Sequence, residues 1–322
     1  MKNYKQLTYA QRCQIYALKK TNISQQKIAT IIGASQSAIS RELMRNTGKR
    51  GYRFKQAQQL TQSRRLAVTK PTKRTPELIS LINTALADKW SPEQISGWLE
   101  KEKTIKISHE TIYRHIWLNK HDGGDLYRHL RRRGKAYQAR AASTAGRGHI
   151  KNRVSIDERP AIVDEKSRIG DWEIDLVIGK GHSGALVTIV ERKTSFSVSS
   201  RRFDKQAATV TAATIALLAY YKDAVLTIIA DNGKEFAYHE AMTKALGAAV
   251  YFADPYCSWQ RGLNENTNGL LRQYWPKKTN FKLISTAEVD AVLIKLNNRP
   301  RKKLNYQTPN ELMKTHMAAI AA

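Results

Sequence analysis

Cysteine is nearly absent. The chain has only Cys13 and Cys257, far apart and with no CxxC partner for either. Neither a disulfide framework nor a thiolate zinc cluster can be built from them, and a reducing compartment fits. Long apolar runs are missing as well. Stretches such as Ile215–Tyr221 fall far short of the roughly 20 residues that span a bilayer. The opening Met1-Lys2-Asn3-Tyr4-Lys5 has no apolar signal core. A soluble, cytoplasmic protein with no membrane partner is expected.

Acids are scarce too. The chain carries 27 Asp and Glu against 55 Lys and Arg, a formal charge of +28 over 322 residues. A field of that size attracts polyanions, nucleic acid first among them. The excess is uneven: residues 1–150 hold 30 basic and 9 acidic side chains, whereas residues 151–322 hold 25 and 18. The first half therefore reads as the half that grips DNA. Hydrophobic residues still make up 41%, with six Trp and fourteen Tyr, so a packed core is within reach and wholesale disorder is excluded.

Residues 1–50 read as three short helices. Ser24 and Ser35 are N-caps, since each hydroxyl can accept from a free backbone N–H, and Gly33 breaks the pattern between them. Ala29, Gly33 and Ile39 have helix-turn-helix spacing: a small residue for close approach, a turn glycine, and an apolar lock. The recognition helix turns Gln36, Ser37, Ser40, Arg41 and Arg45 outward, side chains suited to base edges and phosphates. Residues 76–120 repeat the plan less strongly, with Ser91-Pro92 and Ser108 as helix starts. His109, Thr111 and Arg114 are its DNA-facing candidates. Residues 51–75 and 121–168 read as basic linkers, too polar to form a core and expected to order on DNA.

From residue 169 to 322 the pattern changes. Trp172–Ile178, Ala185–Glu191, Phe196–Phe203, Val225–Ala230 and Ala249–Phe252 read as strands. Helices follow over 205–221, 235–246 and 263–274, which predicts an α/β domain with a mixed five-stranded sheet behind an all-α half.

Three acids fall where elements meet. Asp175 lies on the first strand. Asp231 stands just beyond a wholly apolar strand and before Asn232-Gly233, outside the carboxyl end where α/β sheets place their sites. Glu265 opens a helix. On that helix Leu263, Thr267, Leu270 and Tyr274 form the inward stripe, while Glu265, Asn268 and Arg272 share another face. Hard divalent ions demand oxygen ligands, and two of them can activate a nucleophile and relieve charge on a leaving oxygen. Asp171, Glu173 and Asp175 share one strand face. Asp175 is favoured for its place deep in the apolar run, and Asp171 is expected to be more exposed.

These motifs carry a resemblance. Trp172-Glu173-Ile174-Asp175, Asp231-Asn232-Gly233-Lys234-Glu235-Phe236, and the 33 residues between Asp231 and Glu265 resemble the DDE transposases and retroviral integrases, whose core has the ribonuclease H fold. Trp259-Gln260-Arg261-Gly262, Asn264-Glu265-Asn266, Asn268-Gly269-Leu270 and Asn298-Arg299-Pro300-Arg301-Lys302 resemble the IS-thirty family of bacterial insertion-sequence transposases. So do Ile39-Ser40-Arg41-Glu42-Leu43 and Glu110-Thr111-Ile112-Tyr113-Arg114. The paired His and Cys zinc module of integrases is missing. The resemblance implies that Asp175, Asp231 and Glu265 are catalytic and hold two Mg²⁺ or Mn²⁺ ions. It implies that Arg261 and Arg272 touch DNA, and that copies associate on the element's double-stranded ends in a nucleoid-bound complex. Two rivals remain: a nuclease of this fold that cuts without joining, and a DNA-binding regulator with a non-catalytic core.

Overall fold

The computed structural model describes residues 6–67, 74–132, 150–255 and 257–321. The chain divides into two compact units, Met1–Lys73 and Arg74–Ala322.

In the first unit, α1 (Tyr9–Lys20), α2 (Gln25–Ile32) and α3 (Gln36–Asn46) form around the caps that the sequence supplies. The side chains of Thr8, Ser24 and Ser35 accept from the N–H groups of Gln11, Lys27 and Ala38. Gly33 ends α2 at φ 72°, a left-handed backbone that glycine adopts without strain. Ile15, Ile28, Ala29, Ile39 and Leu43 close the core. A hairpin of β1 (Thr47–Gly48) and β2 (Gly51–Tyr52) follows.

The segment read as a basic linker then holds a fourth helix, α4 (Phe54–Ala67), packed on α1. Its anchors explain why polarity concealed it. Phe54 meets Tyr9 and Tyr16 at ring-centroid distances of 5.6 and 5.5 Å, and Ala57 is buried. The other contacts are polar and long-range. Arg12 forms a buried 2.8 Å pair with Glu42 and donates to Gln58 of α4, and the Tyr52 hydroxyl donates to Glu42 at 3.1 Å. Burial and the Glu42 carboxylate push the Tyr52 phenol up.

The second unit begins with α5 (Pro76–Ala87), α6 (Pro92–Lys103) and α7 (His109–His121), capped by Thr75, Ser91 and Ser108. Leu78, Ile82, Leu86, Ile95, Leu99, Ile112 and Ile116 are their core. This module packs on the α/β body: Lys302 reaches Glu93 at 2.6 Å, and Lys295 reaches Asp88 at 2.9 Å.

The body has a six-stranded sheet, one strand more than expected. In chain order come β3 (Val154–Ser155), a turn of helix α8 (Ile162–Glu165), β4 (Asp171–Ile178), β5 (Ala185–Glu191), β6 (Ser197–Arg202), α9 (Ala207–Leu218), β7 (Thr227–Ala230), α10 (His239–Leu246), β8 (Ala249–Phe252), α11 (Gly262–Leu271), α12 (Thr286–Asn297) and α13 (Pro309–Ala321). The sheet order is β3-β8-β7-β4-β5-β6. β3, β8, β7 and β4 pair in parallel, and β5 and β6 extend the sheet antiparallel. The added strand β3 is two residues long, too short for any period, and comes from the segment read as the second linker.

Alternation along β4 sorts its side chains. Trp172, Ile174 and Leu176 enter a core with Val210 of α9 and Met242 of α10. Val177 enters the opposite core with Leu270, Trp275 and Leu296. Asp171, Glu173 and Asp175 share the Val177 side. A row of acids therefore faces α11, and the contacts of the second and third acids with that helix follow from this placement.

Candidate active site

The three acids of β4 have different neighbours. Asp171 is fully buried, the reverse of the expected exposure. Arg168 Nε and Nη2 each donate to it at 3.0 Å, and the Thr227 hydroxyl donates at 2.7 Å. Arg168 stands three residues away, but nothing local announced Thr227, 56 residues on. Glu173 is also buried. Arg192 Nη1 lies 2.8 Å from its Oε1, and the Asn264 N–H donates to its Oε2 at 2.9 Å. Glu173 thus anchors the start of α11 rather than facing an open space.

Asp175 keeps a side chain 27% exposed. Asn268 Nδ2 of α11 donates to its Oδ2, and the Leu176 N–H to its Oδ1, each at 2.9 Å. Thr188 of β5 sits behind, its hydroxyl 3.0 Å from Asn268 Oδ1. Burial pushes the Asp175 carboxyl up to about 6; the Arg261 guanidinium opposes the rise and Asp231 adds to it.

Asp231 follows β7, where the parallel strands end, and its Oδ1 accepts from the Gly233 N–H at 2.8 Å. Asn232 fixes the loop by donating to the Ala253 carbonyl at 2.6 Å. Arg261 joins the two aspartates: Nη1 lies 3.6 Å from Asp175 Oδ1, and Nη2 lies 3.4 Å from Asp231 Oδ2. The same Nη1 donates to the Ile174 carbonyl at 3.2 Å.

Glu265 lies in the first turn of α11 and is exposed. It lines a cavity of about 890 Å³ together with Asp175, Asn268 and Arg272. Lys89, Arg128, Arg131, Arg132 and Lys277 add positive charge to the wall, and Leu130, Leu176, Val177, Ile178 and Pro276 its apolar part. Arg272 Nη2 is tied to the Ile178 carbonyl at 2.8 Å. The stripe on α11 differs from expectation at both ends: the helix stops at Leu271, so Tyr274 lies beyond it, and Leu263 is not its first buried residue. Asn264, not Leu263, is fully buried, because its polar groups meet Glu173 and Thr188.

Among the described residues, no three His, Cys, Asp or Glu side chains form a ready-made metal cluster. Asp175 and Asp231 are instead held by one shared cation, the Arg261 guanidinium. Like charges brought together need such a partner. The donors are all hard oxygens and already accept a positive charge, which fits a divalent ion.

The other candidates are distributed as follows. Gln36, Ser37, Arg41 and Arg45 are exposed on α3, and Ser40 is half-buried. His109 and Arg114 are exposed on α7, and Thr111 is half-buried there. Arg261, read as a DNA contact, lies between two acids. Asn268, Arg131 and Lys89 were not among the candidates. Asn268 had a signal, since it shares the helix face of Glu265; Arg131 stood within the basic run Arg131-Arg132-Arg133, and only Lys89 carried none in local sequence.

A helix-turn-helix head and a mixed-sheet body that brings Asp175 and Asp231 together on Arg261 fit the class of DNA-processing enzymes. A family model described as a helix-turn-helix domain matches residues 3–46. The chain is 44% identical to the transposase for insertion sequence element IS4351 of Bacteroides fragilis, over 96% of both chains. It is 38% identical to transposase InsI for element IS30A of Escherichia coli (strain K12), over 97% of this chain and 84% of that one. A crystal structure of the catalytic core domain of BIV integrase aligns with 48% of this chain and 100% of its own, at 20% identity and a TM-score of 0.39. The chain belongs to the IS-thirty (IS30) family of insertion-sequence transposases.

Proposed function

We propose that this transposase binds the ends of its element through α3 and cuts and joins DNA strands at Asp175, Asp231 and Glu265. The observation that carries the reading is the pair of aspartates sharing one cation, 3.6 and 3.4 Å away, beside a basic cavity that includes Glu265.

Asp175, Asp231 and Glu265 are the residues that would hold Mg²⁺ or Mn²⁺. When bound, two such ions supply an activated oxygen nucleophile and relieve charge on the leaving oxygen. The chain's own groups do the rest. Asn268 orients Asp175 through a 2.9 Å hydrogen bond, and a ligand needs such support to keep its geometry. The basic wall around Arg131, Arg272 and Lys277 holds the phosphate backbone. Arg261 offsets the charge of the two aspartates from between them, 3.6 Å from Asp175 and 3.4 Å from Asp231. In the reaction, water cuts one strand at the element's end, and the freed 3′-hydroxyl attacks another phosphodiester. Two ends must meet, so at least two copies act together on DNA.

The test is full-length protein with a linear duplex bearing the element's own ends, in magnesium and in EDTA. Nicked strands and joined products are expected in magnesium only. Glu265→Gln should abolish both while the duplex is still bound. Cutting without any joined product would favour a nuclease. Normal cutting by Glu265→Gln would remove that residue from the site.

A further inference from the structure

A second cavity of about 540 Å³ lies in the same unit and shares Lys89, Leu130, Arg131, Arg132 and Gln273 with the acid-lined one. Its distinctive walls are Trp90, Tyr113, Trp117, Arg299 and Arg301. Two features are unexplained by the site already described.

The first is charge. Arg299 is 2% exposed. It donates to Gln273, Tyr274 and the Asp88 carbonyl at 3.2–3.4 Å, and its Nε has no partner. Arg301 donates to the Leu296 carbonyl at 3.1 Å, and its Nε also lacks one. Neither forms an ion pair with a carboxylate among the described residues. Buried guanidinium groups are normally paired with an anion. Burial and the neighbouring Arg299 lower Arg301 to about 10, which still leaves it charged at neutral pH.

The second is aromatic surface. Trp117 is 41% exposed, and Lys120 stands 5.4 Å from its ring. Aromatic faces beside guanidinium groups are how proteins hold unpaired nucleotides: the rings stack on the base and the cations hold the phosphate. An acidic peptide would answer the charge but leave the rings without a role. The volume lies within the range of small-ligand sites, roughly 300–1,000 Å³. It admits one unstacked nucleotide and excludes a duplex.

We propose that this cavity takes one unpaired nucleotide of the strand that passes Asp175 and Glu265, its base against Trp117 and Tyr113 and its phosphate on Arg301 and Arg131. The proposal rests on the reading of Asp175 and Glu265 as the strand-cutting site. Holding a base outside the stack would fix the register of the phosphodiester presented to the acids.

The test binds the full-length protein in EDTA to an element-end duplex with 5-iodouracil at successive positions around the cleaved bond. Irradiation links iodouracil to a stacked aromatic ring. One position should cross-link to a peptide containing Tyr113 or Trp117. Trp117→Ala should lower that yield by about fivefold or more, as expected for the loss of one base–ring stack. Cross-links to the first unit should be unchanged, which shows that the variant is bound, and its urea unfolding midpoint should match that of the wild type, which shows that the second unit is folded. Arg301→Gln should lower the same yield. If no position near the cleaved bond reaches those peptides, or if Trp117→Ala leaves the yield intact, the cavity proposal is overturned. The same preparation is then given magnesium. Strand cutting without the cross-link sinks the cavity alone, whereas no cutting in magnesium or manganese sinks the reading of the acids.

Discussion

Glu173 and Arg192 form an ion pair shut away from water: 2.8 Å between Oε1 and Nη1, with side chains only 1% and 5% exposed. Two residues further along the strand, Asp175 is partly open and faces the cavity. The two acids should therefore fail differently. Glu173→Gln leaves the buried Arg192 charge with only the more distant Asp164, 3.7 Å away, at a cost of up to about 3–5 kcal/mol. Asp175→Asn keeps an acceptor for Asn268 and should not lower stability. Urea unfolding of both variants checks this, with strand cutting measured alongside. Cutting should be lost in Asp175→Asn despite an intact fold. A Glu173→Gln protein as stable as the wild type would show that the pair does not anchor α11.

The raised Asp175 carboxyl makes a statement about pH. Its ordinary value is 3.8 and burial raises it to about 6. Between these values the folded chain holds a proton that the unfolded chain has released. Stability from this group is therefore complete at low pH and lost as pH climbs through about 6. A shift of roughly two units bounds the effect at about 3 kcal/mol. Without metal, Asp175→Asn should flatten that slope and be the more stable protein above pH 6. Magnesium should raise the melting temperature of the wild type there and leave Asp175→Asn unmoved. Parallel melting curves with and without metal decide it.

The first unit ends beyond the helix-turn-helix, because α4 returns to α1. A fragment of residues 1–73 should fold and prefer the element's ends over random duplex, with affinity that falls steeply with salt. A fragment of residues 1–50 loses Phe54 and Ala57, both packed on the core, and should melt at markedly lower temperature. Within the longer fragment, Arg41→Ala should weaken specific binding by about 1–3 kcal/mol if it reads a base. Circular dichroism and gel-shift titration supply the two measurements. Equal stability of the two fragments would leave α4 without a part in the fold.

How much of this was legible follows from the range of each signal. Ser24, Gly33 and Ser35 act within four residues of themselves, so the helices of the head could be read directly. Asp231 announced itself by the all-apolar strand before it and Asn232-Gly233 after it. Long-range partners had no such signature. Asp171 is closed by Thr227, 56 residues away, and its burial contradicts the exposure expected at a strand's mouth. Asn264 takes the inward place expected for Leu263 because Glu173 and Thr188 give its polar atoms partners across the sheet. The charge of residues 51–75 concealed α4, whose anchors Arg12, Glu42 and Gln58 are themselves polar. Arg261 looked like a phosphate contact; that it bridges Asp175 and Asp231 depends on where the loop before α11 passes.

Gly97 and Tyr306 test whether the second helical module works as part of the catalytic body. A side chain at Gly97 on α6 would overlap the Tyr306 ring, so this glycine serves close approach rather than a turn. Asn305 and Tyr306 both take left-handed backbone, at φ 50° and 58°, to bring the ring there. The neighbouring Lys302–Glu93 pair is exposed and adds little. Gly97→Val should therefore act by overpacking, at a cost of about 1–3 kcal/mol. Its second effect is geometric. Pushing α6 away from residues 302–306 shifts Trp90, Lys89 and Arg131 relative to Glu265 across the shared cavity walls. Strand cutting should then fall more than the binding of element ends, which is proposed for the first unit. Tyr306→Ala opens the same contact without overpacking. Combined with Gly97→Val, it should recover much of the stability lost by Gly97→Val alone. Non-additivity in this double-mutant cycle reports the contact itself. Additive losses, or cutting and binding that decline together in Gly97→Val, would mean that the module sits on the body without positioning anything.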